Sequence, residues 1–143
     1  METVNRLAKG YHPKFDIDFA IGREGEENVL NLLEGIRLGT VEVKTDVRAA
    51  DTGNLYLEYE CLGKPSGIQT SKADAWAFVL GNGGFVNIVP TDVLRYLYTQ
   101  LVGHKKYCRE MARGARPTRG VLIPLKHMHE MCILAKMALE EKS

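Results

Sequence analysis

Thr40-Val41-Glu42-Val43-Lys44-Thr45-Asp46, followed after a short polar break by Leu55-Tyr56-Leu57-Glu58-Tyr59-Glu60-Cys61, decides how this chain is read. Both runs are rich in β-branched or aromatic residues and alternate with a period of two, and successive side chains of a strand point to opposite faces. On the first run Val41 and Val43 fall on one face and Glu42, Lys44 and Asp46 on the other. On the second, Leu55, Leu57 and Tyr59 oppose Tyr56, Glu58 and Glu60. The connecting residues 49–54 end in Asp-Thr-Gly-Asn, which is turn chemistry, so the two runs predict a β-hairpin with one charged face.

Upstream, residues 1–14 read as a loose arm broken by Gly10 and Pro13, and Phe15 to Phe19 as a short strand with Asp16 and Asp18 on one face. Arg23 to Glu34 reads as a helix with Glu24, Glu26 and Glu27 in its first turn, where the macrodipole favours negative charge, closed by Gly35. Downstream, Ser66 is placed to cap a short helix running through Asp74. The continuous apolar run Ala75 to Leu80 predicts a buried strand, and Phe85 to Val89 pairs back on it across the turn 81–84. Thr91 is expected to cap a helix to about Val102, with Val93, Leu94, Leu97 and Leu101 facing inward. A basic loop over 104–120, a strand over 121–125 and a last helix carrying Met128, Met131, Cys132, Ala135 and Leu139 complete the order. The sum is an α/β (α+β) domain, a central mixed β-sheet flanked by helices.

A chain of 143 residues with 45% apolar and 26% charged residues is one globular domain, here 1–143, with its core over about 15–102 and an appendage over 103–143. No apolar run approaches a spanning helix, and the start METVNRLAKG has no apolar segment of the secretory kind, so a cytoplasmic setting is expected. Three scattered cysteines, Cys61, Cys108 and Cys132, fit free thiols in a reducing compartment and no zinc framework. His127 and His129 lie two apart on a helix and point in nearly opposite directions. There is no glycine-rich phosphate-binding fingerprint of the nucleotide-binding kind. The formal net charge of +1 hides a segregation. Nine acidic residues stand against four basic ones from Arg23 to Glu60, and eight basic residues against Glu110 alone from Arg95 to Lys126. Such a pair of blocks suits a metal site beside a polyanion-binding surface, and equally two halves of a globule that attract each other.

Glu42 and Lys44 on one strand face, beside Asp46, have the chemistry that metal-assisted phosphodiester hydrolysis needs. A carboxylate binds the cation, the cation polarises the phosphate and acidifies a water, and the ammonium orients that water and offsets developing charge. The alternative is a solvated strand face with an ordinary ion pair. Four segments in order, FDIDFAIGREGEE, TVEVKTD, TGNLYLEYE and GKPSGIQTSKADAWAFVL, resemble the PD-(D/E)XK nuclease superfamily, and more narrowly its small phage-encoded and Holliday-junction-resolvase-like members. The resemblance covers about residues 15 to 80.

It implies a restriction-endonuclease-like core and a Mg²⁺- or Mn²⁺-dependent DNA endonuclease, with branched DNA as one candidate substrate; the competing class is a non-catalytic DNA-binding or interaction module that kept the fold. Glu42 and Lys44 match the (D/E)-x-K pair, and Glu27 matches a helical metal-binding glutamate, a role also open to Glu24 or Glu26. The first acid of the pattern is either Asp18 or Asp46. In a second register Asp46 is that acid, Glu58 and Glu60 form the following pair, and Lys44 reaches in from the neighbouring strand. Ser66 and the basic residues Lys72, Lys105, Lys106, Arg109, Arg113 and Arg116 are the expected DNA contacts, the basic loop acting through phosphates. A homodimer is open, with the apolar faces of 91–102 and 125–140 as its candidate interface.

Overall fold

The computed structural model describes residues 23, 26, 27, 30, 31, 34, 40–81, 85–113 and 116–143. The arm 1–14, the strand 15–19 with Asp18, the stop at Gly35 and turn residues 82–84 lie outside the described residues. Arg23, Glu26, Glu27, Leu30, Asn31 and Glu34 are helical, as the spacing over 23–34 predicts, and all six are exposed.

From Thr40 onward the elements run β1 (Val41–Asp46), α1 (Ala49–Thr52), β2 (Asn54–Cys61), β3 (Lys64–Pro65), a 3-10 turn (Gly67–Gln69), β4 (Ala75–Leu80), β5 (Phe85–Pro90), α2 (Thr91–Leu101), β6 (Cys108–Arg113), β7 (Arg116–Pro124), a second 3-10 turn (Leu125–His127) and α3 (Met128–Glu141). The fold is mixed α and β, but there are two sheets among the described residues where one was expected. One has the order β1-β4-β5 and the other β3-β2-β7-β6.

The predicted β1–β2 hairpin does not form. β1 pairs parallel with β4, in the register Glu42↔Trp76, Lys44↔Phe78 and Asp46↔Leu80. β2 pairs antiparallel with β7. The reason lies in the connection, which is a helical turn and not a two-residue loop. Asp46 Oδ1 accepts the N–H of Arg48 at 3.1 Å, Ala49–Thr52 winds once, and Gly53 ends the turn at φ +68°. A turn of that length splays the two strands, so β2 leaves for a second sheet. The uninterrupted apolar run of β4 then does what such runs do, taking the centre of its sheet between a parallel and an antiparallel neighbour.

The core gathers Trp76, Phe78 and Val89 from the first sheet and Leu55, Leu57, Val121 and Ile123 from the second. Val93, Leu94, Leu97 and Leu101 of α2 and Met128 and Ala135 of α3 complete it. The apolar face of α2 is therefore used inside the protomer and does not serve as the interface expected of 91–102. Thr91 does not cap α2. Pro90 stands at that position, the Thr91 hydroxyl has no partner among the described residues, and Asp92 Oδ1 accepts the N–H of Val93 at 2.8 Å. The expected helix from Ser66 to Asp74 shrinks to the single turn Gly67–Gln69. The expected basic loop over 104–120 is mostly the β6–β7 hairpin, with Arg113 opposite Arg116. Its charged side chains hide a ladder that the backbone supplies. Among the described residues no helix is long and apolar enough to cross a membrane.

One inversion shapes the rest. Directly paired residues of neighbouring strands share a face, so Glu42, Lys44 and Asp46 lie on the same face as Trp76 and Phe78, both only 1% exposed. The polar row of β1 turns toward the seam between the sheets, whereas Val43 is turned outward and is 62% exposed.

Candidate active site

At that seam lies a cleft of about 100 Å³ lined by Lys44, Thr45, Asp46, Tyr56, Glu58, Trp76 and Phe78. Its chemistry is two carboxylates and one ammonium over an aromatic floor, and each group comes with its own restraint. Asp46 ties the end of β1 to β2, since its Oδ2 accepts the N–H of Tyr56 at 3.3 Å while Oδ1 holds Arg48. Glu58 comes from the middle of β2, and its Oε1 accepts the Ser66 hydroxyl at 2.7 Å. Lys44 Nζ lies 2.9 Å from Glu42 Oε1 and 5.7 Å from the centroid of the Trp76 ring.

Glu42 is placed differently from the other two acids. Its Oε1 is paired with the Lys44 ammonium and its Oε2 accepts the Ser71 hydroxyl at 2.9 Å, whereas Asp46 and Glu58 are held by backbone N–H groups and a hydroxyl. It does not line the cleft where Asp46 and Glu58 meet.

The segment from Ser66 to Ser71 thus reaches both sides of the site, and it is pressed tightly against β2. Gly67 has φ +53°, and a side-chain carbon there would collide with the carbonyl of Glu58. The Ser66 hydroxyl serves the Glu58 carboxylate and makes no helix cap. From α2, Arg95 donates to the carbonyls of Ile68 (3.3 Å) and Ser71 (2.8 Å) and so pins the segment from the other side. On β7, Gly120 leaves room for the ring of Tyr56, whose hydroxyl lies 2.9 Å from that of Thr118.

The alternation expected along β2 breaks near its C-terminal end. Glu58 is opposite Gly120 and Glu60 is opposite Arg119, with a bulge between. Gly120 and Arg119 are adjacent on β7 and point to opposite faces, so Glu58 and Glu60 do as well. Glu58 enters the cleft and Glu60 faces Arg119, whose guanidinium is 3.7 Å away. The pair Glu58-x-Glu60 therefore does not share a face, as the alternation predicts it would. Glu27 is exposed on its helical segment, and Asp18 lies outside the described residues.

A second concavity, of about 360 Å³, shares Asp46 and Tyr56 with the cleft and adds Arg48, Asn54, Arg109 and Glu110 to its lining. Arg109 is far from Asp46 in sequence, and the β6–β7 hairpin brings it to the same wall. Its guanidinium is turned onto the carbonyls of Lys106 (3.2 Å) and Cys108 (2.8 Å). Lys105, Lys106 and Arg116 are exposed around the hairpin, with Lys106 over the Tyr107 ring. Lys72 stands apart from the cleft, beside Asp74, Asp92 and Arg95 in an open cavity at the start of α2.

Sequence reasoning missed Ser71 as a member of this region, and it placed Tyr56 on the face of Glu58 without giving it a role. For Ser71 a signal exists, because a serine two residues before a free backbone N–H forms a local turn, and Ala73 N–H bonds its hydroxyl at 3.3 Å. The thiol of Cys132 is pushed up from its ordinary value by burial, and no three His, Cys, Asp or Glu side chains among the described residues are grouped to hold a metal. Two carboxylates in one cleft nonetheless fit Mg²⁺, which binds through one or two carboxylates and keeps several waters, and both acids retain lone pairs for a cation.

No protein-family model, curated protein or solved structure matches the chain.

Proposed function

We propose that this protein is a divalent-metal-dependent DNA endonuclease of the PD-(D/E)XK type, and that its working acids are Asp46 and Glu58 with Lys44 as the water-orienting cation. The observation that carries this reading is a cleft lined by all three, two strands contributing them from two different sheets. Mg²⁺ or Mn²⁺ held by Asp46 and Glu58 would polarise the scissile phosphate and acidify a water. Lys44 would orient that water by hydrogen bonding and offset charge developing on the phosphate oxygens. Glu42 keeps the ammonium in place from behind. Arg48 and Arg109, in the adjoining concavity, are suited to the flanking phosphates, and Lys105, Lys106 and Arg116 extend the basic surface along the hairpin.

The test is incubation of the protein with plasmid, linear duplex and four-way-junction DNA in Mg²⁺, Mn²⁺ or EDTA. Metal-dependent cleavage of any of these substrates supports the reading. Salt-sensitive binding with no cleavage in either metal replaces it with a non-catalytic DNA-binding module.

Lys44→Ala is expected to lower the saturated cleavage rate while Mn²⁺ binding, read by calorimetry, stays close to the parent's. An ammonium acts on water and phosphate and not on the cation. Weaker metal binding at an unchanged saturated rate would make Lys44 structural.

Replacing Lys105, Lys106 and Arg109 by Gln is expected to weaken DNA binding uniformly across sequences. For every phosphate no longer neutralised, the slope of log affinity against log salt should flatten by roughly 0.9 on duplex DNA. An unchanged slope would return the hairpin charges to ordinary solvated surface.

A further inference from the structure

The Ser71 hydroxyl has no freedom in the direction of its proton. It receives two N–H donors, the backbone of Ala73 at 3.3 Å and Nε1 of Trp76 at 3.2 Å. A hydroxyl has two lone pairs and one proton, and neither N–H can accept. With both lone pairs taken, the proton is committed to the third neighbour, Glu42 Oε2 at 2.9 Å. The other oxygen of that carboxylate is the one 2.9 Å from Lys44 Nζ. The base of the hydroxyl is fixed as well, because Arg95 holds the Ser71 carbonyl at 2.8 Å and Ile68, in the same segment, is fully buried.

We infer that Ser71 is a positioning residue for Lys44, through a directed chain that runs from the Trp76 indole N–H to the Ser71 hydroxyl, to the Glu42 carboxylate and to the ammonium. The chain holds Glu42 with Oε2 on the Ser71 hydroxyl and Oε1 on Lys44, and so fixes the ammonium of a side chain that lines the cleft shared by Asp46 and Glu58. Its catalytic consequence rests on the function proposed above; its existence does not. Ser71 is not part of the cleft lining, and a Glu–Lys pair half open to solvent would on its own be worth little and would wander. The serine turns that pair into a fixed element.

Trp76 is the one tryptophan of the chain, so its indole N–H gives a single side-chain NMR signal that reads the far end of the relay. The experiment uses the full chain and a two-by-two set, parent, Glu42→Gln, Ser71→Ala and the double variant. Glu42→Gln should move the indole proton clearly less in the Ser71→Ala background than in the parent, because the hydrogen-bonded path is then cut and only the Lys44 ammonium over the Trp76 ring still links the two. Ser71→Cys, which keeps a packed side chain but bonds far more weakly, takes the place of Ser71→Ala if the alanine variant does not fold.

On DNA, Ser71→Ala should lower kcat by about tenfold with KM unchanged, and Ser71→Thr, which restores a hydroxyl, should recover kcat to within about threefold. An indole response to Glu42→Gln of equal size in both backgrounds overturns the relay. So does a parent-like kcat in Ser71→Ala when Lys44→Ala is impaired. If the parent cleaves no DNA at all, the endonuclease reading falls, and the indole coupling still decides whether Ser71 positions the pair.

Discussion

Asp46→Asn and Glu58→Gln are each expected to reduce metal-dependent cleavage by roughly a thousandfold, about 4 kcal/mol of transition-state stabilisation. Both substitutions keep the shape of the side chain and an oxygen that accepts. Glu58→Gln leaves the Ser66 hydroxyl its acceptor, whereas Asp46→Asn keeps one oxygen for the two N–H groups of Arg48 and Tyr56 and gives up one of those bonds, at a cost of roughly 1 kcal/mol that the fold should survive. What is lost is the negative charge that attracts a cation. Calorimetry with Mn²⁺ should therefore show weakened metal binding in both variants, and gel shifts in EDTA should show DNA binding near the parent's.

Glu42→Gln is the informative control. It lies outside the lining of the cleft and its charge is already paired with the Lys44 ammonium, so it should cost about tenfold, as loss of an outer-shell partner does. The ranking separates the two registers. If Glu42→Gln abolished metal binding while Glu58→Gln left it intact, Glu42 would be the ligand and the cleft acids would be structural.

Gly67→Ala is expected to be the most damaging substitution for the fold around the site. Two penalties act together. The residue sits at φ +53°, where a side chain costs roughly 1–2 kcal/mol. The added carbon also meets the Glu58 carbonyl, and forcing atoms into packed space costs roughly 1–3 kcal/mol more. A fall in the thermal midpoint on the order of 10 °C should follow. The movement cannot spare the site, because the backbone that must shift carries Glu58 itself and its partner Ser66. Cleavage should fall along with stability, in contrast to Gly63→Ala. Gly63 also has a positive φ, of +73°, but no described residue lies within 4 Å of a side-chain carbon there. A Gly67→Ala protein with the parent's midpoint and activity would show that the 66–71 segment does not set Glu58.

Much of the architecture is legible along the chain because its signals are local. Period-two alternation marks β1 and β2, an unbroken apolar run marks β4, and the spacing of Val93, Leu94, Leu97 and Leu101 marks the buried face of α2. The site is legible in part for the same reason. Glu42, Lys44 and Asp46 are acids and a cation on one face of one strand, and Glu58 is on a neighbouring element of sequence.

Strand pairing is not local. Alternation says that a segment is extended and which side chains share a face, but a strand offers the same backbone ladder to any partner. One helical turn between Asp46 and Asn54 was enough to send β2 to β7 and leave β1 to β4. The face that a polar row points toward is also a property of what pairs beside it, and Trp76 and Phe78 turned that row inward.

The residue types, the shared face of Glu42, Lys44 and Asp46 and the charge segregation thus followed from the sequence by itself, since each depends on chemistry within a few positions. Only tertiary structure decided that Asp46 and Glu58 share a cleft, that a bulge divides Glu58 from Glu60, that Arg109 stands at the wall of Asp46 and that the Ser71 hydroxyl meets the carboxylate of Glu42. Those arrangements join segments 12 to 63 positions apart, and the free energy that selects among them comes from burying the whole core at once.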